Sequence, residues 1–458
     1  MGLALVTDLY ELNMAASYLR RGMTARATFS LFVRRLPPDR GFLVAAGVDD
    51  CLDFLESFRF EEEDLEWLSR HGFAAETIDA FRDIRFTGDV EAVEEGRIIL
   101  AGEPVLEVTA PLPEAQLVET YLLNRVTFQT AIASKAVRCR LAAGHIELVD
   151  FALRRVHGTE AAMAVARLSA MAGFVGTSNV EAARRFGLAP SGTMAHSYVQ
   201  AFPTEAAAFR AFVEDLPPPY TFLVDTYDTL AGVAAAAQVI DELRLTGNVA
   251  IRLDSGDLGK LSRAARAMLD ERRLAHVRIF VSGSLDEHRL EDLVRSGAPI
   301  DAAGVGTRLG TSSDAPYVDS AYKLVEVEGR PVMKLSTAKE TLPGAKQVWR
   351  AKGGDDILAR RGEPVPDGAE ALLGPAMRGG QRLRARLSIT EAKTRISRDL
   401  SWLPDAARAI RAPVAPEPVL SDALEGLAAA TRNAAPVRNA APVRNADPGR
   451  NARARPEG

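Results

Sequence analysis

Three short stretches carry residue types that could do chemistry. "SGTMAHSY" (191–198) sets His196 after a Gly-Thr turn, beside hydroxyls, in a chain with six histidines. "RLDSGDL" (252–258) joins Arg252 to two carboxylates, Asp254 and Asp257. "GVGTRLGTSSD" (304–314) concentrates Gly304, Gly306, Thr307 and further hydroxyls. An imidazole can take up a proton, a metal or a phosphoryl group. A buried arginine needs an anion, either a protein carboxylate or a substrate's. Asp254 suits a ribose diol; Asp257 suits either Mg2+ or the cap of the next helix. A Gly-rich turn can cradle phosphate with its backbone N–H groups. Taken singly, each has a plain structural alternative: a histidine that opens a helix, a cap, a tight turn.

Their setting makes them more telling. From about residue 146 to 310, apolar runs of four to six residues alternate with helical patterns, as in "HIELVDFALRR", "YTFLVDTYDT", "NVAIRLDSGD", "VRIFVSGSLD" and "IDAAGVGTRLG". Val224 to Leu253 spans 29 residues, Leu253 to Val281 28, and Val281 to Val305 24, each the length of one strand–helix unit. About seven such units predict a parallel β/α barrel. Each of the three stretches then falls after a strand, where barrel loops converge on one mouth. Phe151, Arg154, Arg155, Thr177, Ser178, Asn179, Asp225, Asp228, Ser282, Ser284 and Asp286 fall at equivalent strand ends. After the last strand of a barrel, the Gly-Thr turn stands where phosphate commonly binds.

The flanks read differently. Residues 24–120 carry short strand-like runs with helices between them, and "YKLVEVEGRPVMKLS" and "KQVWRA" look like strands returning to them. The expected architecture is α/β: an irregular parallel β/α barrel over 121–319, and an α+β N-terminal domain over 1–120 completed by residues 320–400. From residue 412 the sequence turns to "APVAPEPV" and degenerate "RNAAPV" repeats. That composition predicts a disordered tail over 412–458, with one short amphipathic turn at "LSDALEGLAAA".

Composition excludes several classes. A net charge of −5 over 458 residues argues against bulk attraction to nucleic acid. Cys51 and Cys139 fit no metal spacing and make a disulfide framework implausible. The N-terminus lacks the basic region of a signal peptide, and no apolar run approaches the ~18 residues of a membrane span. The expectation is a cytoplasmic protein with neither nucleic-acid nor membrane partners.

The ordered set "TDLYELNMA" (7–15), "LLNRVTFQT" (122–130), "FALRR" (151–155), "GFVGTSNV" (173–180), "GTMAHS" (192–197), "VDTYDT" (224–229), "RLDSGDL" (252–258), "GVGTRL" (304–309), "YKLVE" (322–326) and "TLPGAKQV" (341–348) resembles the nicotinate phosphoribosyltransferase family over about residues 5–350. The resemblance implies transfer of a phosphoribosyl group from 5-phosphoribosyl 1-diphosphate (PRPP) to nicotinate, with ATP as co-substrate and Mg2+ carried on the phosphates. It implies that His196 is phosphorylated by ATP, and that Tyr10, Thr193 and Arg252 contact nicotinate, with Phe151 and Arg154 shaping the pocket. Arg154 is a rival to Arg252 for the carboxylate. Asp254 would hold the ribose, and Gly304, Gly306 and Thr307 the 5′-phosphate. The resemblance further implies a homodimer in which the Tyr10 motif serves the neighbouring subunit. Lys334, Lys339 and Lys346 could reach phosphates across that interface or be ordinary strand-edge lysines. Two alternatives remain at this point. A nicotinamide-specific enzyme would want an aspartate where this chain has Ser178. A non-catalytic PRPP- or nucleotide-sensing barrel would not need His196, Arg252 and Asp254 all intact.

Overall fold

The computed structural model describes residues 2–336, 340–351 and 355–434. Two apolar cores organise them. The first lies under a seven-stranded sheet in the order 330–331, 320–327, 26–33, 104–111, 89–93, 373–378, 381–382. Arg26–Val33 (RATFSLFV) is the hub of this sheet: β-branched and aromatic side chains fit its pleat, and both of its edges are paired. Leu31 faces Tyr322 on one side and Leu106 on the other. The strand 320–327 therefore does return to the N-terminal domain, as expected.

The second core fills a curled parallel sheet in the order 176–177, 147–150, 302–305, 278–281, 249–253, 220–223. The first and last strands in sequence, 147–150 and 302–305, are hydrogen-bonded neighbours, as in a barrel. The sheet has six strands, one fewer than the spacing predicts. The missing stave is the stretch 190–196. It makes a single parallel bridge, Pro190 to Thr177, and otherwise runs as irregular chain beside Tyr220 and Thr221. Gly, Pro and Ser at 190–192 break the ladder there.

Helix Glu119–Ala142 ties the cores together. Leu122 and Val126 belong to the first core; Ile132, Ala136 and Cys139 belong to the second. It is buried on several sides because it crosses between two apolar layers, so the expected boundary at residue 121 falls inside a shared element. The helices after the strands begin on short polar caps. Asn179, Asp228, Asp257 and Asp286 accept from the backbone N–H groups of Ala182, Ala231, Lys260 and Arg289 at 3.1, 2.8, 3.1 and 2.9 Å. Much of the polarity at the barrel mouth is thus capping, each cap contributing about 1 kcal/mol.

Two expectations for the C-terminal third are revised. Lys346–Ala351 (KQVWRA) does return to the N-terminal domain, with Val348 in the first core and the Lys346 N–H on Glu107 at 2.9 Å, but as the centre of a separate four-stranded sheet with 357–360, 369–371 and 419–420. Leu373–Arg378 joins 320–327 in the seven-stranded sheet itself. The second correction concerns the tail, which does not begin at 412. Val419–Leu420 pairs in parallel with Ile357–Leu358, and helix Asp422–Ala434 buries Leu424 in the first core and carries the buried Ala428. An Ala-rich amphipathic run beside Pro-rich repeats looks like tail by composition, yet its apolar stripe has a sheet to cover. The repeats from 435 onwards lie outside the described residues.

Candidate active site

The C-terminal ends of the parallel strands open on a cleft of about 520 Å3, lined by Phe151, Arg154, Ser178, the loop 192–196, Leu223, Arg252 and Asp254. Arg252 organises it. It is the penultimate residue of strand Val249–Leu253 and projects from a buried backbone into the mouth. Its Nε donates to Ser282 Oγ at 2.8 Å. One terminal nitrogen donates to Thr193 Oγ1 and the other to Asp254 Oδ1, both at 2.7 Å. One guanidinium therefore joins the loops after three different strand positions. One proton on each terminal nitrogen stays available.

Asp254 is held in turn. Ser282 Oγ donates to its Oδ1, and its backbone N–H donates to Asp225 Oδ2 at 2.9 Å. Burial would raise the Asp254 carboxyl, but the Ser282 hydroxyl and the Arg252 guanidinium outweigh it and hold the group below its ordinary value. Asp254 is therefore an anion throughout the neutral range. Asp225 also accepts from Ser255 Oγ at 2.6 Å.

His196 opens the short helix His196–Gln200 at the edge of the cleft. Its Nδ1 lies 3.1 Å from Thr226 Oγ1, and its Nε2 lies 3.9 Å from Asp254 Oδ2. Its side chain is 42 % exposed. One ring nitrogen is thus anchored and the other faces the open mouth, the arrangement a nucleophilic imidazole requires.

Phe151 forms a flat wall. Its ring stacks on Phe280 at 5.6 Å, and the Arg252 guanidinium carbon lies 5.4 Å from its centroid. Gly304 is buried against this ring: a Cβ there would come within 2.5 Å of the Phe151 ring. Packing therefore dictates glycine at 304, while Gly306 and Thr307 open the turn at the surface. Asp150 connects the pocket turns. It is buried, accepts from Ala152 N–H at 2.8 Å and from Thr177 Oγ1 at 2.7 Å.

The structure brings Phe151, Arg154, Ser178, Thr193, His196, Arg252 and Asp254 to one cleft. Arg154 is exposed there, and among the described residues nothing pairs with it. Tyr10 is elsewhere: it sits on helix Leu9–Arg20, is 46 % exposed, and is absent from the cleft lining of its own chain. Asp257 is the cap of helix Leu258–Glu271, which accounts for its carboxylate without a metal. Lys346 is corrected outright. It is buried, donates to Gly344 O at 2.8 Å and lies 3.4 Å from Glu107, so it is a structural ion of the small sheet. Lys334 is exposed beyond strand 330–331, and Lys339 lies outside the described residues. Thr226 was missed by sequence reasoning, and Ser282 was noted without a role. The signal was present, because both stand in polar strand-end loops, but only contact shows which hydroxyl in such a loop meets a functional side chain.

A curled, parallel β/α half-barrel whose mouth presents an anchored imidazole, an ionised aspartate and arginine donors defines an enzyme class that handles anionic substrates at its strand ends. The nicotinate phosphoribosyltransferase N-terminal domain model matches residues 5–127, and the nicotinate phosphoribosyltransferase family model matches residues 146–348. Nicotinate phosphoribosyltransferase pncB2 of Mycobacterium tuberculosis is 45 % identical over 439 residues, covering 94 % of each chain. The nicotinate phosphoribosyltransferase of Bacillus subtilis is 44 % identical over 358 residues, covering 76 % of this chain and 73 % of its own. The crystal structure of human nicotinic acid phosphoribosyltransferase superposes with a TM-score of 0.80 at 29 % identity, covering 93 % of this chain and 99 % of that one. The chain belongs to the nicotinate phosphoribosyltransferase family.

Proposed function

We propose that this chain transfers the 5-phosphoribosyl group of PRPP to nicotinate, forming nicotinate mononucleotide and diphosphate, with ATP hydrolysis coupled through His196. The observation that carries this reading is the cleft's pairing of a flat aromatic wall, Phe151, with two cationic donors: Arg252, which Thr193 Oγ1 steadies, and Arg154, unpaired among the described residues. A planar pyridine carboxylate matches both. Guanidinium and carboxylate make a charge-assisted pair. In this reading Asp254 takes the ribose hydroxyls, and the Gly306–Thr307 turn, which adjoins the Phe151 backbone, takes the 5′-phosphate.

The ring nitrogen of nicotinate is unprotonated at neutral pH and attacks C1 of the ribose as the bond to diphosphate breaks. Positive charge develops at C1, and the ionised Asp254 is the carboxylate among the residues lining the cleft. Positioning and electrostatics supply most of the acceleration. In the ATP step, His196 Nε2 attacks the γ-phosphorus, the bond to the β-phosphate oxygen breaks, and ADP leaves. Thr226 holds the opposite ring nitrogen. In this reading Mg2+ bound to the diphosphate oxygens of PRPP would neutralise the leaving group.

Leu3, Val6 and Leu9 are exposed beside Tyr10, an apolar face that suits a second copy and the homodimer reading. No helix among the described residues is long and apolar enough to cross a membrane, and a cytoplasmic site fits the use of PRPP and ATP.

The test is mononucleotide formation from nicotinate, PRPP and Mg2+, with and without ATP. His196→Asn should abolish ATP hydrolysis and acid-labile labelling from γ-labelled ATP, while slow ATP-independent synthesis survives. Label persisting on the His196→Asn protein would defeat the assignment.

A further inference from the structure

Behind the Gly306–Thr307 turn lies a group of buried ions that the chemistry above does not use. Arg40 belongs to the loop that follows strand Arg26–Val33 in the first core, yet its guanidinium reaches the barrel and is fully buried. Its Nε and one terminal nitrogen fork onto Asp314 at 2.9 and 3.0 Å. The same terminal nitrogen donates to Ser312 Oγ at 2.7 Å, and the other donates to Ala131 O at 2.8 Å. Lys135, on the shared helix, meets Asp314 at 2.9 Å and Glu287 at 2.5 Å. Arg138 meets Glu287 at 3.3 Å.

These ions hold one short piece of chain. The N–H groups of Thr311, Ser312 and Ser313 donate to the carbonyls of Thr307, Leu309 and Arg308 at 3.0, 3.0 and 3.1 Å, so 307–313 is a single hydrogen-bonded coil. Arg40 grips its far end through Ser312 and Asp314. At its near end Arg308 pairs with Asp286, the residue before Glu287. Ser312 sits at φ +45°, a conformation its neighbours must enforce.

We propose that Arg40 is a positioning residue for the 5′-phosphate: the first core, through Arg40 and with Lys135 bracing Asp314, sets the geometry of the Gly306–Thr307 turn and hence the affinity for PRPP. This rests on the reading of that turn as the phosphate holder. Arg40→Lys keeps the charge but loses the fork. It should raise the KM for PRPP about tenfold while the KM for nicotinate and kcat stay within about twofold, because a displaced phosphate turn misplaces only one substrate. Ser312→Ala removes a single gripped hydroxyl and should raise the PRPP KM about threefold with little change in Tm; it serves if Arg40→Lys does not fold. Thr307→Ala reports on the turn itself. A raised PRPP KM for Thr307→Ala with unchanged values for Arg40→Lys and Ser312→Ala would overturn the role of Arg40 alone. Unchanged values in all three would overturn the phosphate assignment as well. A lower Tm for Arg40→Lys with both KM values moving together would make Arg40 merely structural.

Discussion

Two arginines, Arg350 and Arg252, stand in strands of comparable burial and have opposite fates. Arg350 donates through Nε to Asp356 at 3.0 Å, and through one terminal nitrogen to Ile98 O at 2.8 Å and Asp399 at 3.0 Å. Its other terminal nitrogen meets Asp356 again. Asp399 also accepts from Arg97 Nε at 2.7 Å and from Ile98 N–H at 2.9 Å. Every partner is buried; four of its five N–H groups are used, and the buried Glu103 carboxylate lies 3.9 Å from the nitrogen that carries the fifth. Arg252 has three partners, two spare protons, and an unpaired arginine across the cleft. The saturated cluster staples chain segments from three parts of the sequence; the unsaturated one waits for a substrate. Charge by itself does not mark a functional site. Polar capacity left unused at an open mouth does.

The comparison can be broken first at its saturated half. Arg350→Met leaves Asp356 buried without its cation and Asp399 with Arg97 as its remaining buried cation, and should cost about 3–5 kcal/mol of stability. Denaturant midpoints would read this directly. The residual folded enzyme should keep its KM values, and a change in KM without loss of stability would show that the cluster talks to the cleft. The same cluster anchors the segment after residue 355, so the C-terminal helix is the next probe. Truncation after residue 411 removes Leu424 and the strand 419–420, and should cost at least about 1.5–3 kcal/mol, the burial of one leucine. Truncation after 434 should leave activity and Tm unchanged. Equal stability of both truncated proteins would mean that the helix contributes nothing.

Those two regions also differ in how far the sequence reveals them. The barrel repeats itself: runs of apolar residues recur at intervals of 24–29, and the chemistry-bearing residues sit just after them. Arg252, Asp254 and His196 could be placed at one mouth because strand ends in a parallel sheet converge. The spacing predicts a strand before His196 where the chain is irregular, because periodicity cannot see a missing ladder. The partner of a side chain is also invisible. Nothing in "VDTYDT" says that Thr226 rather than Tyr227 meets His196, or that Lys346 turns inward to Glu107. Arg350 and Asp399 are 49 positions apart and Arg40 and Asp314 are 274 apart, so no local pattern could connect them. Composition misled at 412–434, where alanine and leucine beside proline-rich repeats hid an amphipathic helix whose stripe only the folded sheet explains.

At the unsaturated half, Arg252→Gln should spare the fold, because Asp254 is partly solvated and keeps Ser282 and Asp225. It should lower kcat/KM about ten- to a hundredfold, the cost of about 1–3 kcal/mol in donors lost from a desolvated site. The loss should extend to PRPP, since the same guanidinium steadies Asp254. Arg154→Gln is the smaller and more selective change. Arg154 is exposed at the cleft and has no protein partner among the described residues, so its pairing with a carboxylate is worth about 1 kcal/mol, or about a fivefold rise in the KM for nicotinate. PRPP should bind as before. Because a neutral amide gains little from that cation, the preference for nicotinate over nicotinamide should narrow in both variants, and more in Arg252→Gln. Measuring kcat/KM for both pyridines in both proteins separates the two arginines. If Arg154→Gln collapses the preference while Arg252→Gln keeps it, the carboxylate clamp is Arg154. Arg252 would then belong with Asp254 to the ribose side of the site, and its spare protons would no longer mark the acid pocket.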